Sequence, residues 1–264
     1  MSSKKIHHAF DFNFKKESGK IISGIKSVLK KTNHNNVIIA VSGGIDSAVS
    51  LNLLTKSLNQ DNIYAVHLPF KNDTVKDYNA VLDRVNFPIK NRKIIPIKSI
   101  VDEIEKLQNL QKGQPNYKLR SGNIQSRTRM MLLFDLAKKH NALVCGTENK
   151  SEHLLGYFTR YGDQASDFEP IIHLYKTQIY SLAKFLDIPL SIQAKKPSAG
   201  LWEGQSDERE FGFTYKEADI VLHLYFDLKK PLVEIKKLGF PNVEEIISWV
   251  NKNSFKNKVP YLIR

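Results

Sequence analysis

A short apolar run that ends at two glycines constrains the fold of this chain more than any other feature. Residues 37–41 are all apolar, which is typical of a strand buried on both faces. The loop Ser42-Gly43-Gly44 follows, and apolar periodicity predicts a helix over residues 47–58. Glycines let the backbone turn sharply and approach a ligand closely, and the free N–H groups at a helix N-terminus attract anions. The unit predicts an anion site at a strand end, although a tight turn with an acidic helix cap would use the same residues.

Asp46 separates this loop from the Walker type of phosphate loop. A Walker loop requires Gly-x-x-x-x-Gly-Lys-Ser/Thr, and the present loop has no lysine. The carboxylate of Asp46 would repel phosphate unless a Mg²⁺ ion lies between the two groups. The pattern Ser-Gly-Gly-Ile-Asp-Ser resembles the pyrophosphate loop of the ATP pyrophosphatases, which adenylylate a carbonyl or carboxylate oxygen and release pyrophosphate. This resemblance leaves the acceptor open.

Strands and helices alternate through the first half of the chain, and helices dominate the second half. Further strands are predicted at residues 62–70, 92–97 and 142–146, and further helices at 74–85, 99–110 and 123–140. Beyond residue 150 the predicted helices are 174–186, 215–228, 232–238 and 243–251. Strands separated by helices predict the α/β class with a doubly wound parallel sheet flanked by helices, and ligands then bind at the carboxyl ends of the strands. No linker divides the sequence, so residues 1–264 are expected to form one domain.

The composition of the chain limits the cellular compartments and the binding partners that are expected. Lys and Arg total 40 against 27 Asp and Glu, a net charge of +13, but the lysines are scattered and are not interleaved with aromatic residues as in RNA-binding segments. The charge therefore favours a basic surface with an anionic ligand over a nucleic-acid partner. No apolar stretch approaches the roughly 20 residues that span a bilayer, no secretory signal is indicated, and the single Cys145 excludes an intrachain disulfide. These features predict a cytoplasmic protein without a membrane partner, in which Cys145 is a buried strand residue.

Two segments outside the first loop carry polar groups suited to a nucleotide site. Residues 122–130 open a predicted helix and include Arg127 and Arg129, which do not share a helix face; a solvated basic helix start would explain them equally well. Residues 146–152 follow the last predicted strand, where Thr147 offers a hydroxyl and Glu152 a hard oxygen suited to Mg²⁺. The other polar residues of that segment could be ordinary helix caps.

Three later features complete the set of candidates. Segment 155–167 contains aromatic residues, glycines, one cation and two carboxylates, and it shows no helical or strand period. Such a mixture suits the binding of a nucleotide. Phe158 could equally be a core residue. Segment 196–208 is polar and glycine-bearing, which predicts a mobile loop. Lys176 stands at the start of a predicted helix, where a cation opposes the helix dipole, so either an anionic partner holds it there or it is a surface lysine.

The order of these segments resembles that of the ammonia-dependent NAD⁺ synthetases. The resemblance is carried by SGGIDSAVS, GNIQSRTRM, GTENKSEHLLGYFTRYGDQASD, LYKTQIYSLAKFL and KKPSAGLWEGQSDEREFGFTY. It implies a Rossmann-like ATP pyrophosphatase fold and the joining of ammonia to the carboxylate of deamido-NAD⁺, with ATP consumed and AMP and pyrophosphate released. It also implies Mg²⁺ as cofactor and a homodimer whose interface helps to form the deamido-NAD⁺ sites.

The resemblance assigns roles to individual residues. For ATP it implies Ser42, Gly43, Gly44, Ile45, Asp46, Ser47, Thr147, Lys176 and Ser198. For deamido-NAD⁺ it implies Arg127, Phe158, Arg160, Asp167 and Lys256, and for Mg²⁺ it implies Asp46 and Glu152. The implied catalytic residues are Asp46, Lys176 and Asp167, the last as a candidate general base. Two positions depart from the family, because Arg160 stands where lysine is commoner and Phe255 stands where histidine is usual.

The implied chemistry activates a poor electrophile. The acceptor carboxylate attacks the α-phosphorus of ATP to form a mixed anhydride, and Mg²⁺, Lys176 and loop N–H groups offset the charge that develops on the phosphoryl oxygens. Ammonia then attacks the acyl carbon and AMP leaves. Because the anhydride hydrolyses easily, residues 196–210 are expected to close over it. A glutaminase needs its own nucleophile, usually cysteine, so a buried Cys145 would make free ammonia the donor, unless a separate subunit supplies it.

Two other functions remain open from the sequence. Another ATP pyrophosphatase that acts on tRNA or on a nucleotide base would suit the net charge of +13, but it would not account for the GYFTRYGD and PSAGLW segments. A non-catalytic nucleotide-binding module would not need two metal-binding carboxylates such as Asp46 and Glu152. Amidation of deamido-NAD⁺ is therefore the leading prediction.

Overall fold

Four short strands in the described part of the chain form the predicted parallel sheet. The computed structural model describes residues 13–71 and 74–263. Strands β1 (Asn36–Ala40), β2 (Ile63–His67), β3 (Arg92–Ile94) and β4 (Ala142–Cys145) run parallel in the order β3-β2-β1-β4. The strand order therefore reverses between β1 and β4. The carboxyl ends of these two strands flank the crevice where doubly wound sheets bind ligands.

Helices flank the sheet and make up most of the second half. They are α1 (Phe14–Thr32), α2 (Ile45–Ser57), α3 (Val75–Arg84), α4 (Lys98–Leu107), α5 (Tyr117–Lys139), α6 (Lys150–Leu155), α7 (Lys176–Phe185), α8 (Leu190–Gln193), α9 (Asp207–Phe211), α10 (Tyr215–Leu222), α11 (Leu232–Lys236) and α12 (Val243–Asn253). A π-helical turn, His223–Asp227, extends α10, and 3₁₀ turns lie at Gln60–Asn62, Ile89–Asn91 and Ser254–Lys258. None of the described helices is both long and apolar enough to cross a membrane.

Two hydrophobic layers enclose the sheet, and a third core lies among the C-terminal helices. Val37 and Ile39 face a layer that includes α1, α2 and α7, whereas Ile38 faces α4 and α5, as alternation along a strand requires. All three residues are fully buried, which explains the continuous apolar run of β1. The third core joins α6 to α10 and α12. The helix that follows β4 is therefore held by the C-terminal part of the chain.

Helix α5 begins earlier than the sequence suggested. The prediction placed its start at residue 123, but the helix begins at Tyr117, so Gly122 lies inside it. A Cβ at Gly122 would lie 2.9 Å from Leu201 Cδ1, so this glycine allows close packing and does not mark a helix end. Arg127 is exposed and Arg129 is partly buried, both in the middle of the helix. Neither arginine therefore stands at a helix start, but Arg127 is solvated, as that alternative predicted.

Strand β3 is shorter than the predicted strand. It ends at Ile94, whereas the prediction extended it to residue 97. The N–H groups of Ile95 and Ile97 still donate to backbone carbonyls at the end of β2 (2.9 and 3.0 Å). Pro96 between them has no N–H to donate, and α4 begins directly afterwards. The other predicted helices are present with ends shifted by a few residues.

Helix α1 was not among the predicted elements. Its residues Ile21, Ile25 and Leu29 recur at the four-residue spacing of a buried helix face and are at most 6% exposed. Asn13 caps the helix by accepting a hydrogen bond from Lys16 N (2.9 Å). The helix packs on α2 and so supports the element that follows the glycine loop.

Candidate active site

The loop after β1 makes the sharp turn that its glycines allow. Gly43 adopts φ +81°, and a Cβ there would lie 2.6 Å from Asp77 Cβ. Gly44 precedes α2, and its N–H donates to Ser42 Oγ (3.2 Å). Ser47 Oγ donates to Gly44 O (3.0 Å) and accepts from Ser42 N (3.3 Å). These contacts fix the loop at the N-terminus of α2, where backbone N–H groups and the helix dipole favour an anion.

Gly43→Ala is expected to destabilise the fold much more than Gly44→Ala. At Gly43 a methyl group meets both a positive φ and Asp77 Cβ at 2.6 Å, whereas Gly44 has φ −90° and its nearest neighbour is Ser42 Oγ at 3.2 Å. We expect the first substitution to lower the free energy of unfolding by about 1–3 kcal/mol and the second by less than about 1 kcal/mol. Urea unfolding of both variants measures the difference, and equal losses would contradict it.

Three charged side chains from α2, α6 and α7 converge beside this loop. Lys176 Nζ contacts Asp46 Oδ2 (2.6 Å) and Glu152 Oε1 (3.0 Å). Asn149 Nδ2 donates to Asp46 Oδ1 (2.9 Å), and the Lys176 ammonium lies over the ring of Tyr215, 5.5 Å from its centre. The structure therefore brings together Asp46, Glu152 and Lys176 at the carboxyl ends of β1 and β4. We call these three side chains the catalytic trio after the roles at ATP and Mg²⁺ that the resemblance implies for them, and these roles remain predictions.

Lys176 has the anionic partners that its position at a helix start indicated. The side chain is buried, with the residue 3% exposed, so the alternative of a surface lysine is wrong. Burial lowers the pKa of Lys176, but the carboxylates of Asp46 and Glu152 outweigh burial and hold that pKa above its ordinary value. Burial also raises the pKa of Glu152, although the charge of Lys176 opposes this shift. Lys176 therefore stays protonated and offsets part of the negative charge of the two carboxyl groups.

Asp46 and Glu152 suit the Mg²⁺ that the resemblance implies. Their carboxyl oxygens converge, since both contact the same Nζ within 3.0 Å. Among the residues that the structure describes, no group of three or more His, Cys, Asp or Glu side chains is placed to hold a metal ion. Mg²⁺ usually takes one or two carboxylates and completes its shell with phosphate oxygens and water. Two carboxylates beside a phosphate loop therefore fit Mg²⁺ that binds together with ATP.

Three further residues are predicted to contact ATP. Ile45 is 5% exposed at the start of α2, so it can offer only its backbone to a ligand. Thr147 is partly exposed in the segment between β4 and α6. Ser198 is exposed, and its Oγ accepts a hydrogen bond from Gly200 N (3.1 Å). The roles of these three residues at ATP remain predictions.

Sequence reasoning missed how two side chains hold the site in place, although the alternative of a helix cap in segment 146–152 is confirmed at Asn149. Asn149 is fully buried; it caps α6 in a reciprocal capping box with Glu152 and also donates to Asp46. The Asn-x-x-Glu spacing indicates the cap, but nothing local indicates the contact with Asp46. Lys195 Nζ donates to Gly43 O (3.3 Å) on the outer side of the loop, and a Lys-Lys pair in a basic chain gives no signal for that role.

The segment after α6 packs against α5. Ser126 Oγ donates to Asp163 Oδ1 (2.6 Å), and Arg127 Nε donates to Arg160 O (3.3 Å). The fold therefore brings the two arginines predicted for the acceptor next to each other. The contact joins the Arg127 side chain to the Arg160 backbone, and since a guanidinium group suits a ligand that carries phosphate, both arginines remain predictions for the acceptor.

The C-terminal residues reach back to this segment. Lys256 Nζ donates to Gly156 O (2.7 Å) and Phe158 O (3.1 Å), and burial lowers the pKa of Lys256. The Arg160 guanidinium carbon lies 5.2 Å from the ring centre of Phe255, within the range of a cation–π contact. The two positions that depart from the family pattern are thus in contact with each other. Phe158 is 7% exposed, and this burial also fits the alternative that Phe158 is a core aromatic residue.

Asp167 lies at the edge of β4. Its Oδ2 accepts a hydrogen bond from Val144 N (2.7 Å), and the next residue, Phe168, forms a parallel bridge with Cys145. Cys145 is 1% exposed and burial raises the pKa of its thiol, which confirms the predicted buried strand residue. The role of Asp167 at the acceptor or as a base remains a prediction.

A partly buried carboxyl group beside this edge predicts a pH-dependent stability. Burial raises the pKa of Glu169 to about 8, although Ser166 Oγ (2.8 Å) and Glu148 N (3.0 Å) donate to it. Its pKa exceeds the ordinary value of 4.5, so the folded protein binds the proton more tightly than the unfolded chain. The stabilisation is therefore complete below pH 4.5 and is lost as the pH rises through 8.

We expect the free energy of unfolding to fall by up to about 1.4 kcal/mol per pH unit across that window because of Glu169. Glu169→Gln, which cannot titrate, should remove this part of the slope. Urea unfolding of both proteins from about pH 5 to about pH 9 measures it. The same slope in the variant and the wild type would show that another group is responsible.

The segment predicted to close over the site packs on α5. Gln125 Nε2 donates to Leu201 O (3.0 Å), and Leu201 lies against Gly122. The segment is not loop throughout, since α9 begins at Asp207, whose Oδ1 accepts from Ala199 N (3.1 Å). Closure of residues 196–210 over a bound nucleotide remains a prediction.

Comparison with known proteins finds similar sequences over most of the chain. The chain matches the NAD synthase family over residues 17–260. It is 41% identical over 245 residues to the NH(3)-dependent NAD(+) synthetase of Thermococcus sibiricus, which covers 91% of this chain and 94% of that protein. These matched residues include the glycine loop and all three members of the catalytic trio.

Solved structures extend the similarity to the whole fold. An NMN synthetase from Francisella tularensis is similar with a TM-score of 0.81 and 32% identity, over 96% of this chain and 100% of that chain. An NH3-dependent NAD synthetase from Campylobacter jejuni is similar with a TM-score of 0.78 and 30% identity, over the same shares. The two structures differ in the product that their names give.

Proposed function

Because this chain belongs to the NAD synthase family, we propose that it catalyses the ATP- and Mg²⁺-dependent amidation of deamido-NAD⁺ with ammonia, which yields NAD⁺, AMP and pyrophosphate. The observation that carries this proposal is the convergence of Asp46, Glu152 and Lys176 beside the glycine loop. A carboxylate pair, an ammonium group and free backbone N–H groups are what adenylyl transfer to a carboxylate needs. The enzyme is thus a C–N ligase that completes NAD⁺ formation.

The loop and the catalytic trio act on the phosphates of ATP. The N-terminus of α2 holds the phosphates that leave as pyrophosphate. As the acceptor carboxylate attacks the α-phosphorus, a new P–O bond forms and the bond to the leaving pyrophosphate breaks, and Lys176 offsets the negative charge. Asp46 and Glu152 hold Mg²⁺, which when bound neutralises phosphate charge and orients the leaving group.

The segment after α6 acts on the acceptor. Arg127 and Arg160 bind its phosphates, and Lys256 holds the backbone of residues 156–158. Ammonia attacks the acyl carbon of the adenylate, AMP leaves with the electrons of the broken C–O bond, and a base removes the excess proton. Asp167 is the proposed base, because its carboxylate is exposed at the edge of β4.

Free ammonia is the proposed nitrogen donor. Hydrolysis of glutamine within the same chain would need an accessible thiol or another activated nucleophile. Cys145 is the single cysteine of the sequence and is 1% exposed within β4. Burial raises the pKa of its thiol, so it is suited to packing and not to nucleophilic attack.

A pyridine mononucleotide is the competing acceptor, because the similar structure from Francisella tularensis is an NMN synthetase. Deamido-NAD⁺ and nicotinate mononucleotide present the same carboxylate and differ in the adenylate half. Identity to the two solved structures does not separate the two acceptors, at 32% for the NMN synthetase and 30% for the NAD synthetase, but the relative that is 41% identical is an NAD(+) synthetase. We therefore favour the dinucleotide.

A product assay separates these possibilities. The purified protein is incubated with ATP, Mg²⁺, ammonium and either acceptor, and AMP and the amidated product are quantified. Equal amounts of AMP and NAD⁺, with kcat/KM at least about tenfold lower for the mononucleotide, would support the proposal. If kcat/KM is higher for the mononucleotide, the mononucleotide becomes the proposed acceptor. Formation of AMP without an amide would indicate a different acceptor. Absence of AMP formation would reject the proposal.

We also propose a cytoplasmic homodimer in which residues 1–264 form one catalytic domain. Helix α5 leaves Leu119 and Met131 more than half exposed (56% and 52%) on either side of Arg127. Large apolar side chains exposed on one helix suit a protein partner, and a second copy there would lie beside the acceptor residues. Light scattering on the wild type and Met131→Glu tests this, and a monomeric wild type would contradict it.

A further inference from the structure

A buried carboxylate of the C-terminal helices joins the two helices that carry Glu152 and Lys176. Asp219 on α10 is 0% exposed. Its Oδ1 accepts from Ser151 Oγ (2.5 Å), and its Oδ2 accepts from Thr177 N (2.8 Å) and Thr177 Oγ1 (2.7 Å). Ser151 directly precedes Glu152 in α6, and Thr177 directly follows Lys176 in α7. Asp219 therefore contacts the chain neighbours of two members of the catalytic trio.

Ser151 extends this connection to the backbone of Lys176. Its Oγ accepts a hydrogen bond from Lys176 N (2.8 Å) while it donates to Asp219. The first two residues of α7 thus direct their N–H groups at Ser151 and at Asp219. The N–H groups at the start of a helix have no partner within the helix. The C-terminal helices therefore satisfy and orient the start of α7.

The geometry suits an ionised carboxylate. Burial raises the pKa of Asp219 to about 6, while hydrogen bonds from Ser151 and Thr177 lower it. Both carboxylate oxygens accept from donors, so an amide at this position would place its NH₂ group against one of them. The N-terminus of α7 also favours a negative charge. A change from carboxylate to amide would therefore disturb the two helix starts without a change of size.

We propose that Asp219 is a positioning residue for the adenylylation step, an inference that rests on the proposed function of the trio. Through Ser151 and Thr177 it holds α6 and α7 where Glu152 Oε1 and Lys176 Nζ meet at 3.0 Å. A displacement of about 1 Å in such an arrangement can lower a rate by about 100-fold. The effect falls on kcat, because the acceptor binds to other residues.

Four substitutions test the connection. Asp219→Asn is expected to lower kcat for AMP formation by about 10- to 100-fold, with KM for deamido-NAD⁺ within about threefold of wild type. Ser151→Ala and Thr177→Val each remove one hydroxyl from the connection and should lower kcat by about 3- to 10-fold. Thr177→Ser keeps the hydroxyl and should retain the wild-type kcat.

Asp227→Asn is the matched control. Asp227 also joins α6 to the C-terminal helices, because it accepts from Lys150 Nζ (2.6 Å) and from Tyr175 OH (3.0 Å). These donors are side-chain groups, including that of Tyr175 directly before Lys176, whereas Asp219 also accepts from the backbone N–H of Thr177 at the start of α7. We expect this variant to lose stability and to keep kcat.

Three results would overturn the proposal: a wild-type kcat in Asp219→Asn, equal losses in Thr177→Val and Thr177→Ser, or the same kcat loss in Asp227→Asn. If Asp219→Asn does not fold, Ser151→Ala and Thr177→Val decide. A wild type that forms no AMP would reject the proposed function instead. Calorimetry of ATP binding in the presence of Mg²⁺ would then test the role of Asp219. Weaker binding by Asp219→Asn than by the wild type supports the positioning role, and unchanged binding overturns it.

Discussion

Lys176→Met is expected to lower kcat for AMP formation by about 10²- to 10³-fold, the loss seen when one preorganised charge-stabilising group is removed from an active site. The ammonium is fixed between Asp46 Oδ2 and Glu152 Oε1, at 2.6 and 3.0 Å. It is therefore held where phosphate charge develops in the proposed reaction. Methionine fills a similar volume with an adaptable chain, so the variant reports on charge more than on packing. Steady-state AMP formation at saturating ATP measures the loss.

The same substitution is expected to weaken the fold. Removing one partner of a buried ion pair destabilises a protein by about 3–5 kcal/mol, and here one ammonium serves two carboxyl groups. We expect a loss of that size in the free energy of unfolding without Mg²⁺. Because Mg²⁺ binds the folded carboxylates, its addition should restore part of the loss.

Two further variants control this experiment. Lys184→Met changes an exposed lysine on the same helix and should alter neither activity nor stability. Lys176→Arg should recover only part of the activity, because a planar guanidinium does not reproduce the geometry of an ammonium group. Wild-type turnover in Lys176→Met, or a stability that does not respond to Mg²⁺, would refute the proposed arrangement.

Asp46→Asn is expected to change the Mg²⁺ requirement. The amide keeps the size of the side chain but removes the charge, and its nitrogen would face Asn149 Nδ2, which donates to Asp46 Oδ1 at 2.9 Å. Changes to groups that only support a metal ligand cost about 10- to 100-fold in metal affinity. For a direct ligand we expect the Mg²⁺ concentration at half-maximal activity to rise by at least about 100-fold.

A titration of Mg²⁺ at constant ATP, with AMP as the readout, measures this shift. Asp61→Asn is the control, because Asp61 is exposed and pairs with Lys90 (2.7 Å) away from the catalytic trio. If both variants keep the wild-type midpoint, Asp46 is not a metal ligand.

Local features of the sequence predicted the first strand and its loop. The apolar run of β1, the glycines and the start of α2 are contiguous, and the physical reasons for the turn act within a few residues. Helix α5 was harder, because Gly122 and the polar residues near it read as a helix start. Gly122 instead accommodates Leu201, 79 positions later in the chain by their residue numbers. A sequence window contains no information about such a contact.

The catalytic trio shows the same limit. Lys176 lies 130 residues from Asp46 and 24 from Glu152, and the resemblance, not the spacing, placed the three residues in one site. The helix dipole did indicate that Lys176 needs an anionic partner, and that prediction is confirmed. Asp219 gave no signal, because its partners Thr177 and Ser151 are 42 and 68 residues away. What the sequence could not provide was the packing of α10 against α6 and α7.

The C-terminal residues contact the segment after α6, and this contact implies an order in which the parts of the site form during synthesis. Lys256 Nζ bonds to Gly156 O, 100 residues earlier, and Phe255 stacks on Arg160. A ribosome adds about 5–20 residues per second, so about 5–20 seconds separate the synthesis of residue 160 from that of residue 256. During that interval the sheet and the glycine loop can form, but residues 156–160 lack the tail that holds them. We therefore expect a nascent chain to become able to bind its acceptor only after residue 256 has been synthesised.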